Sequence, residues 1–134
     1  RKVYFKLEED IVKSVRGWIE RLLEHHRILF FNGNLDILTS HQLKRNFLGK
    51  LNWRGAAEYG LAKRQLWFED GVVVGNYKVA DNLVDVLVLN AGHSVPVSQP
   101  KNVLRLIDMF TGKEFKSTTS WNLHADEQTC INSP

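Results

Sequence analysis

The chain has 134 residues, of which 43% are hydrophobic and 25% charged, and its formal net charge is +3. These values are ordinary for a globular protein and allow one modest domain with a core. Lysine and arginine are spread among acidic residues and form no basic stripe interleaved with aromatic side chains, so we expect no nucleic-acid partner. No apolar run approaches the ~20 residues that a membrane span requires, so we expect no membrane partner either.

The first predicted element is an amphipathic helix over residues 7–25. Its apolar residues recur at helical spacing and include Ile11, Val15, Trp18 and Leu22. The pair His25-His26 falls at the end of this helix, where positive charge suits the helix dipole. We interpret the pair as helix-end cations rather than as a metal site. Five scattered histidines and a single cysteine show no zinc-ligand spacing, so no metal is expected.

Strands and helices then alternate along the chain. The apolar run 28–31 predicts a strand that ends at Asn32-Gly33, and a second helix is predicted from about Ile37 to Gly49. The later predicted elements are a short helix at 56–63, a hairpin of 65–68 and 71–80, a strand from Val84, and a last helix over about 99–110. This order predicts a layered α/β fold with an incomplete sheet and flanking helices. Residues 113–134 are polar, rich in serine and threonine, and are predicted to form a loosely held tail.

The stretch 83–100 is the most informative part of the sequence. A buried strand from Val84 runs into Asn90-Ala91-Gly92, where the glycine permits a sharp turn, and His93 follows directly. Ser98 is interpreted as the N-cap of the last helix, with proline in its first turn. His93 would therefore lie on a stiff turn at the carboxyl edge of a sheet, where ligands gather in open α/β folds. The alternative is a histidine exposed on a turn without a function.

Asp36 occupies the same kind of place, between the strand at 28–31 and the second helix. One interpretation is a helix N-cap, a frequent role for aspartate. The other is functional: if the two strands are neighbours, Asp36 and His93 can meet. An aspartate bonded to a histidine fixes the ring tautomer and stabilises the imidazolium, as in a Ser-His-Asp triad. The acid also precedes the histidine along the chain, as it does in α/β hydrolases.

These residues resemble the serine carboxypeptidases, and within them the vitellogenic-like branch. The resemblance depends on Phe31-Asn32-Gly33-Asn34-Leu35-Asp36 and on Gly92-His93-Ser94-Val95-Pro96 followed by Gln99-Pro100. It extends to Trp18, to Trp53-Arg54-Gly55 and to the segment 74–78, and covers roughly residues 8 to 112. It implies that residues 1–112 form the C-terminal part of an α/β-hydrolase domain.

The resemblance also implies roles for single residues. Asp36 matches the family's catalytic aspartate and His93 its catalytic histidine. Ser94 matches a position that lines the pocket for the last residue of the substrate, and Thr39 takes a position held by cysteine in some relatives, where a pocket contact is implied. Family members remove C-terminal residues from peptides, best at acidic pH, need no metal or cofactor, and are secreted, lysosomal or vacuolar.

One departure from the family is severe. The family's nucleophile lies in Gly-Glu-Ser-Tyr-(Ala/Gly)-Gly, and no serine of this chain has glycine two positions before and two positions after it. The chain begins with Arg1, and its only methionine is Met109, which indicates a fragment or a processed chain. We therefore expect the nucleophile to belong to a missing N-terminal portion of the same enzyme, and the 134 residues alone to lack peptidase activity.

Two other functions and one alternative for the chain's origin stay open at this stage. The same fold supports ester hydrolysis or acyl transfer, a carboxypeptidase-like protein without catalysis could serve in binding or storage, and the chain could be one product of cleavage into two chains. Cys130 is either a free thiol or one half of a disulfide to the missing portion, and no usable Asn-x-Ser/Thr glycosylation site is present.

Overall fold

The computed structural model of the protein describes residues 12–112, 114 and 115, together with Val3, Leu7 and Asp10. The elements in chain order are α1 (Arg16–Leu23), β1 (Ile28–Gly33), α2 (His41–Leu48), α3 (Ala56–Leu61), β2 (Gln65–Glu69), β3 (Val72–Ala80), β4 (Leu83–Val88), α4 (Val95–Ser98) and α5 (Pro100–Thr111).

The four strands form one mixed sheet in the order β1-β4-β3-β2. β1 and β4 are parallel, with Ile28 opposite Leu83 and Gly33 opposite Val88. The other two pairings, β4 with β3 and β3 with β2, are antiparallel. A mixed sheet with flanking helices confirms the predicted α/β class.

β4 is one of the two interior strands, and its sequence suits that place. Its side chains are buried along almost its whole length, as the β-branched run indicates. Because side chains of a strand alternate between faces, Val84, Val86 and Val88 pack on one side of the sheet in a cluster that includes Leu106 of α5. Leu83 joins the opposite cluster, which includes Leu23 of α1 and Leu48 of α2. The sheet is thereby covered by helices on both faces.

The hairpin between β2 and β3 was correctly predicted from its turn residues. Asp70 and Gly71 both have positive φ, 52° and 78°, which is typical of a tight turn that suits the twist of the flanking strands. Glycine adopts such a φ without steric cost, and aspartate tolerates it better than most residues.

Three predicted helix boundaries were wrong. The helix predicted over residues 7–25 is interrupted: the described Leu7 and Asp10 are helical, residues 12–15 are not, and α1 then runs from Arg16 to Leu23. α2 starts at His41 rather than near Ile37, because the hydroxyl of Ser40 accepts a hydrogen bond from the Leu43 N–H and caps the helix there.

Ser98 is not the N-cap of the last helix. It is the last residue of α4, a short helix that was not predicted, and the N-cap of α5 is Gln99. Pro96 lies in the first turn of α4, a position where the missing N–H of proline costs nothing. In the predicted tail, the described Glu114 pairs with Arg105, and the buried Phe115 packs edge-on against Tyr77. The rest of that tail, including Cys130, lies outside the described residues.

Candidate active site

Two turns lie against each other at the carboxyl ends of β1 and β4. A Cβ atom on Gly33 would lie 2.0 Å from the carbonyl oxygen of Ala91, so no other residue fits between the two turns. The turns are joined by hydrogen bonds from the Asn34 N–H to the Val88 carbonyl at 3.0 Å and from the Leu35 N–H to the Ala91 carbonyl at 2.9 Å. This contact fixes the distance between the side chains that follow each strand.

Asp36 lies on the first of these turns, with its side chain only 1% exposed. Its Oδ1 accepts hydrogen bonds from the N–H groups of Leu38 at 2.9 Å and Thr39 at 3.0 Å. Its Oδ2 accepts a hydrogen bond from the Thr39 hydroxyl at 2.5 Å. Because α2 begins only at His41 and is capped by Ser40, Asp36 is not the N-cap of that helix. Its carboxylate is instead held by its own turn.

His93 lies on the second turn and meets the carboxylate of Asp36. Its Nδ1 is 3.1 Å from Oδ2 and 3.3 Å from Oδ1 of Asp36. Since an ionised carboxylate only accepts, this geometry assigns the proton to Nδ1 and leaves Nε2 as the acceptor nitrogen. The side chain of His93 is 59% exposed, and no hydrogen bond from a described residue reaches Nε2.

The turn that carries His93 has its own supports. Asn90 adopts a left-handed φ of 55°, which asparagine tolerates better than most residues. The hydroxyl of Ser98 accepts a hydrogen bond from the Gly92 N–H at 3.3 Å and donates one to the Ser94 carbonyl at 3.3 Å. Ser98, the last residue of α4, thereby holds the backbone on both sides of His93 in place.

The pKa of Asp36 is held well below its usual range. The largest cause is the hydrogen bond from the Thr39 hydroxyl, and the N–H groups of Thr39 and Leu38 and the His93 ring act in the same direction. Burial acts in the opposite direction and is outweighed. Asp36 is therefore a carboxylate even in acidic solution, and it can stabilise a proton on the imidazole of His93.

Thr39 and Ser94, which the resemblance places in the substrate pocket, differ in the hydrogen bonds of their hydroxyls. The hydroxyl of Thr39 is committed to Asp36 and lies 3.5 Å from Nδ1 of His93, while its carbonyl accepts a hydrogen bond from the Asn32 side chain at 2.7 Å. Ser94 is exposed directly beside His93, and its carbonyl rather than its hydroxyl takes part in the α4 hydrogen bonds.

Sequence reasoning missed two supporting asparagines. Asn32 is 7% exposed and anchors Thr39, and the side-chain oxygen of Asn34 accepts from the Ala91 N–H at 3.4 Å. The signal that could have found them is the repeated asparagine in Asn32-Gly33-Asn34, since asparagine side chains commonly satisfy backbone groups of turns. Among the described residues, no group of three or more histidine, cysteine, aspartate or glutamate side chains could hold a metal ion.

An aspartate–histidine pair on the carboxyl edge of an α/β sheet is characteristic of hydrolases with a catalytic triad. Comparison with known protein families matches residues 1–113 to the serine carboxypeptidase family. The chain belongs to that family. This membership confirms the resemblance found in the two motifs, including its relation to the vitellogenic carboxypeptidases.

Individual relatives cover most of the chain. It is 43% identical over 111 residues to a venom serine carboxypeptidase of Apis mellifera, which covers 83% of this chain and 24% of that protein. It is 41% identical over 114 residues to a vitellogenic carboxypeptidase of Aedes aegypti, covering 85% of this chain and 24% of that protein. A probable serine carboxypeptidase of Homo sapiens is 31% identical over 107 residues, 78% of this chain and 22% of that protein.

A solved structure supports the fold. The crystal structure of Kex1(Δ)p, a prohormone-processing carboxypeptidase from Saccharomyces cerevisiae, superposes with a TM-score of 0.68 over 75% of this chain and 23% of that one, at 24% identity. The fold is thus that of the α/β hydrolases, as predicted. The chain spans about a quarter of the length of these relatives. Within the described residues, no helix combines the length and apolarity that crossing a membrane demands.

Proposed function

We propose that this chain supplies the acid and the base of the triad of a serine carboxypeptidase. Asp36 is the acid and His93 is the base, and the intact enzyme releases C-terminal residues from peptides at acidic pH. The observation that supports this most is the pairing of a buried carboxylate with an exposed imidazole, joined at 3.1 Å through Nδ1. The pair leaves Nε2 open to solvent, where a nucleophile and a substrate would approach.

In the proposed mechanism His93 takes a proton from the serine hydroxyl through Nε2 as the oxygen attacks the peptide carbonyl. The positive charge on the imidazole is stabilised by the Asp36 carboxylate, which stays ionised because of its hydrogen bonds. His93 then protonates the departing amine, and an acyl-enzyme forms. In the second half the same nitrogen activates a water molecule, which releases the shortened peptide.

The nucleophile and the oxyanion hole would come from the part of the enzyme outside this chain. None of the 134 residues forms the family's serine motif. Serine proteases that lose a triad residue keep only about 10³–10⁴-fold acceleration over water, which comes from the oxyanion hole and substrate binding. We therefore expect residues 1–134 alone to release no C-terminal amino acids. The partner of this segment is the N-terminal portion of the same enzyme, as one chain or as two.

Ser94 and Thr39 are proposed to contact the substrate. Ser94 is supported by its exposure next to His93, which leaves its hydroxyl free to bind the C-terminal residue of a peptide. Thr39 still has acceptor capacity on its hydroxyl oxygen while it donates to Asp36. A secreted, lysosomal or vacuolar location is also proposed, because an enzyme that acts at acidic pH requires such a compartment.

The test uses the intact protein that carries this segment. Release of the C-terminal residue from an N-acylated dipeptide should be followed for the wild type, His93→Gln and Asp36→Asn. We expect kcat/KM to fall roughly 10⁴-fold in each variant, since the two residues act as a unit. Asn46→Asp, on the exposed surface of α2, is a matched control and should retain wild-type activity.

Three results would refute parts of the proposal. Cleavage of esters, or transfer of their acyl group, with no action on peptides would indicate an esterase or an acyltransferase. No labelling of the wild type by a serine-directed fluorophosphonate would indicate a non-catalytic protein. Activity of purified residues 1–134, abolished by the His93 variant, would refute only the claim that this segment needs a partner.

A further inference from the structure

A buried ion cluster lies on the face of β4 that Leu83 shares with α1 and α2, and none of its members contacts Asp36 or His93. Asp85, 0% exposed, pairs through Oδ1 with Nζ of Lys44 at 2.6 Å, and through Oδ2 with the guanidinium of Arg64. The hydroxyl of Tyr59 also donates to Oδ2 at 3.0 Å. One buried negative charge thus faces two cations, and the cluster carries a net positive charge.

Two further cations, Arg45 and Lys78, lie beside this cluster. Arg45 and Lys78 form no ion pair with a described residue. Nζ of Lys78 lies 4.3 Å from the centre of the Tyr59 ring, which attracts the cation but does not neutralise it. Burial is the largest cause of the lowered pKa of Lys78, the positive charges of Arg64 and Arg45 act in the same direction, and the Asp85 carboxylate on the neighbouring strand opposes them.

These side chains line a cleft of about 400 Å³. Arg45, Arg64 and Lys78 contribute cationic groups, Tyr59 an aromatic ring, and Gly49 and Gly60 bare backbone, and no acidic side chain is among the lining residues. Arg64 is fixed on two sides, by Asp85 and by the side-chain oxygen of Asn76 at 2.9 Å. Its position is therefore set before any ligand arrives, which reduces the entropy that binding would cost.

We propose that this cleft binds a tetrahedral oxyanion, a phosphate or a sulfate group. Guanidinium groups match the oxygens of these anions with several N–H donors at once, and a lysine ammonium adds a point charge. The volume exceeds that of one inorganic anion and falls within the range of small-molecule sites, so the group would be carried on a small organic molecule. The site goes beyond the proposed carboxypeptidase function and shares no residue with the Asp36–His93 pair.

Isothermal titration of the intact protein with inorganic phosphate, sulfate and glucose 6-phosphate, each against chloride of equal ionic strength, tests the proposal. Binding of phosphate or sulfate should weaken roughly tenfold in each of the single variants Arg45→Gln and Lys78→Gln, because each change removes one charged contact. The salt bridges of Asp85 go to Lys44 and Arg64, so both are retained in the two variants. Lys78 is the cross-strand neighbour of Asp85, so urea denaturation should first confirm that Lys78→Gln is folded. Lys101→Gln removes an equal charge from α5 and should bind like the wild type.

The relative affinities of the three anions show which kind of molecule carries the phosphate or sulfate group. Tighter binding of glucose 6-phosphate than of inorganic phosphate indicates an organic phosphate, and a preference for sulfate indicates a sulfated ligand. No heat of binding for any of the three anions at millimolar concentration would overturn the proposal. Equal weakening in Lys101→Gln would overturn it as well, since it would show a general effect of net charge. Peptidase activity plays no part in the readout, so failure of this site leaves the proposed function untouched.

Discussion

The hydroxyl of Thr39 donates a hydrogen bond of 2.5 Å to Oδ2 of Asp36, the same oxygen that lies 3.1 Å from the His93 ring. Thr39, three residues after Asp36, thus donates to the same carboxylate through both its backbone N–H and its hydroxyl. The side-chain hydrogen bond is the largest cause of the lowered pKa of Asp36. We infer that Thr39 positions Asp36 and keeps it ionised at acidic pH.

Replacing Thr39 by valine should remove this donor while preserving the shape of the side chain. The pKa of Asp36 would then rise toward its ordinary value, so the carboxylate would take up its proton at a higher pH than in the wild type. We expect the acidic limb of the kcat/KM profile of the intact enzyme to shift to higher pH. The loss at acidic pH should be roughly tenfold, as for one hydrogen bond to a charged group.

Thr39→Ser is the matched control for that experiment, because it keeps the hydroxyl and loses only a methyl group. Its pH profile should lie close to that of the wild type. If valine and serine both raise KM without moving the acidic limb, Thr39 acts on the substrate rather than on Asp36, and the positioning role is wrong.

The sequence was sufficient to predict the elements that carry strong local signals. β4 is a β-branched run, and the hairpin has Asp70-Gly71 at its turn, so both follow from composition and turn chemistry. The pairing of Asp36 with His93 was predictable only because two motifs fall after two strands that could be neighbours. In the structure β1 and β4 are parallel neighbours, which no local sequence pattern could show.

What could not be predicted depends on contacts between distant segments. Asn32-Gly33 was interpreted as the turn that ends the strand, yet both residues belong to β1, and Gly33 lies in close contact with the backbone of Ala91. Ser98 was expected to cap the last helix, yet its hydroxyl bonds Gly92 and Ser94 within the histidine turn. Both outcomes are set by tertiary packing, which overrides local capping preferences.

Gly33→Ala should strongly destabilise the protein. The added Cβ would lie 2.0 Å from the carbonyl oxygen of Ala91 and 2.6 Å from that of Gly92, so the two turns must move apart. We expect a loss of about 3 kcal/mol or more in the free energy of unfolding, measured by urea denaturation of the intact protein. Separation of the turns also moves Asp36 away from His93, so kcat should fall even where the protein is folded.

Gly17→Ala serves as the control for this change. Gly17 lies in α1, and nothing is within 4 Å of the position its Cβ would take. Alanine there should stabilise the helix by about 0.5–1 kcal/mol. A Gly33→Ala protein as stable as the wild type would show that the two turns are not in close contact.

Asp85→Asn should also be strongly destabilising, although Asp85 contacts neither Asp36 nor His93. The change leaves Lys44, whose side chain is 10% exposed, and Arg64 without their shared carboxylate. Removing one partner of a buried ion pair typically costs about 3–5 kcal/mol, since the remaining charges stay buried and unpaired. Asp70→Asn removes an exposed pair with Lys101 and should leave the unfolding transition almost unchanged. Similar transitions for both variants would contradict the buried cluster.

His41 should make the stability of the protein sensitive to mild acid. Burial lowers the pKa of His41 from 6.5 to about 4, and the nearby charges of Arg64 and Lys44 act in the same direction. Its Nδ1 is buried without a hydrogen-bond partner among the described residues. As pH falls from about 6.5 to 4, the unfolded chain binds a proton that the folded chain refuses, so the folded state loses stability.

Replacing His41 by glutamine removes the titrating group and should flatten the dependence of unfolding free energy on pH within that window. Below pH 4 the curves of wild type and variant should run parallel, because carboxylates such as Asp36 then dominate the loss of stability in both. Urea denaturation at intervals between pH 4 and pH 7 measures the difference directly. Equal slopes for the two proteins throughout this window would mean that His41 is protonated in the folded state, with its ring open to water.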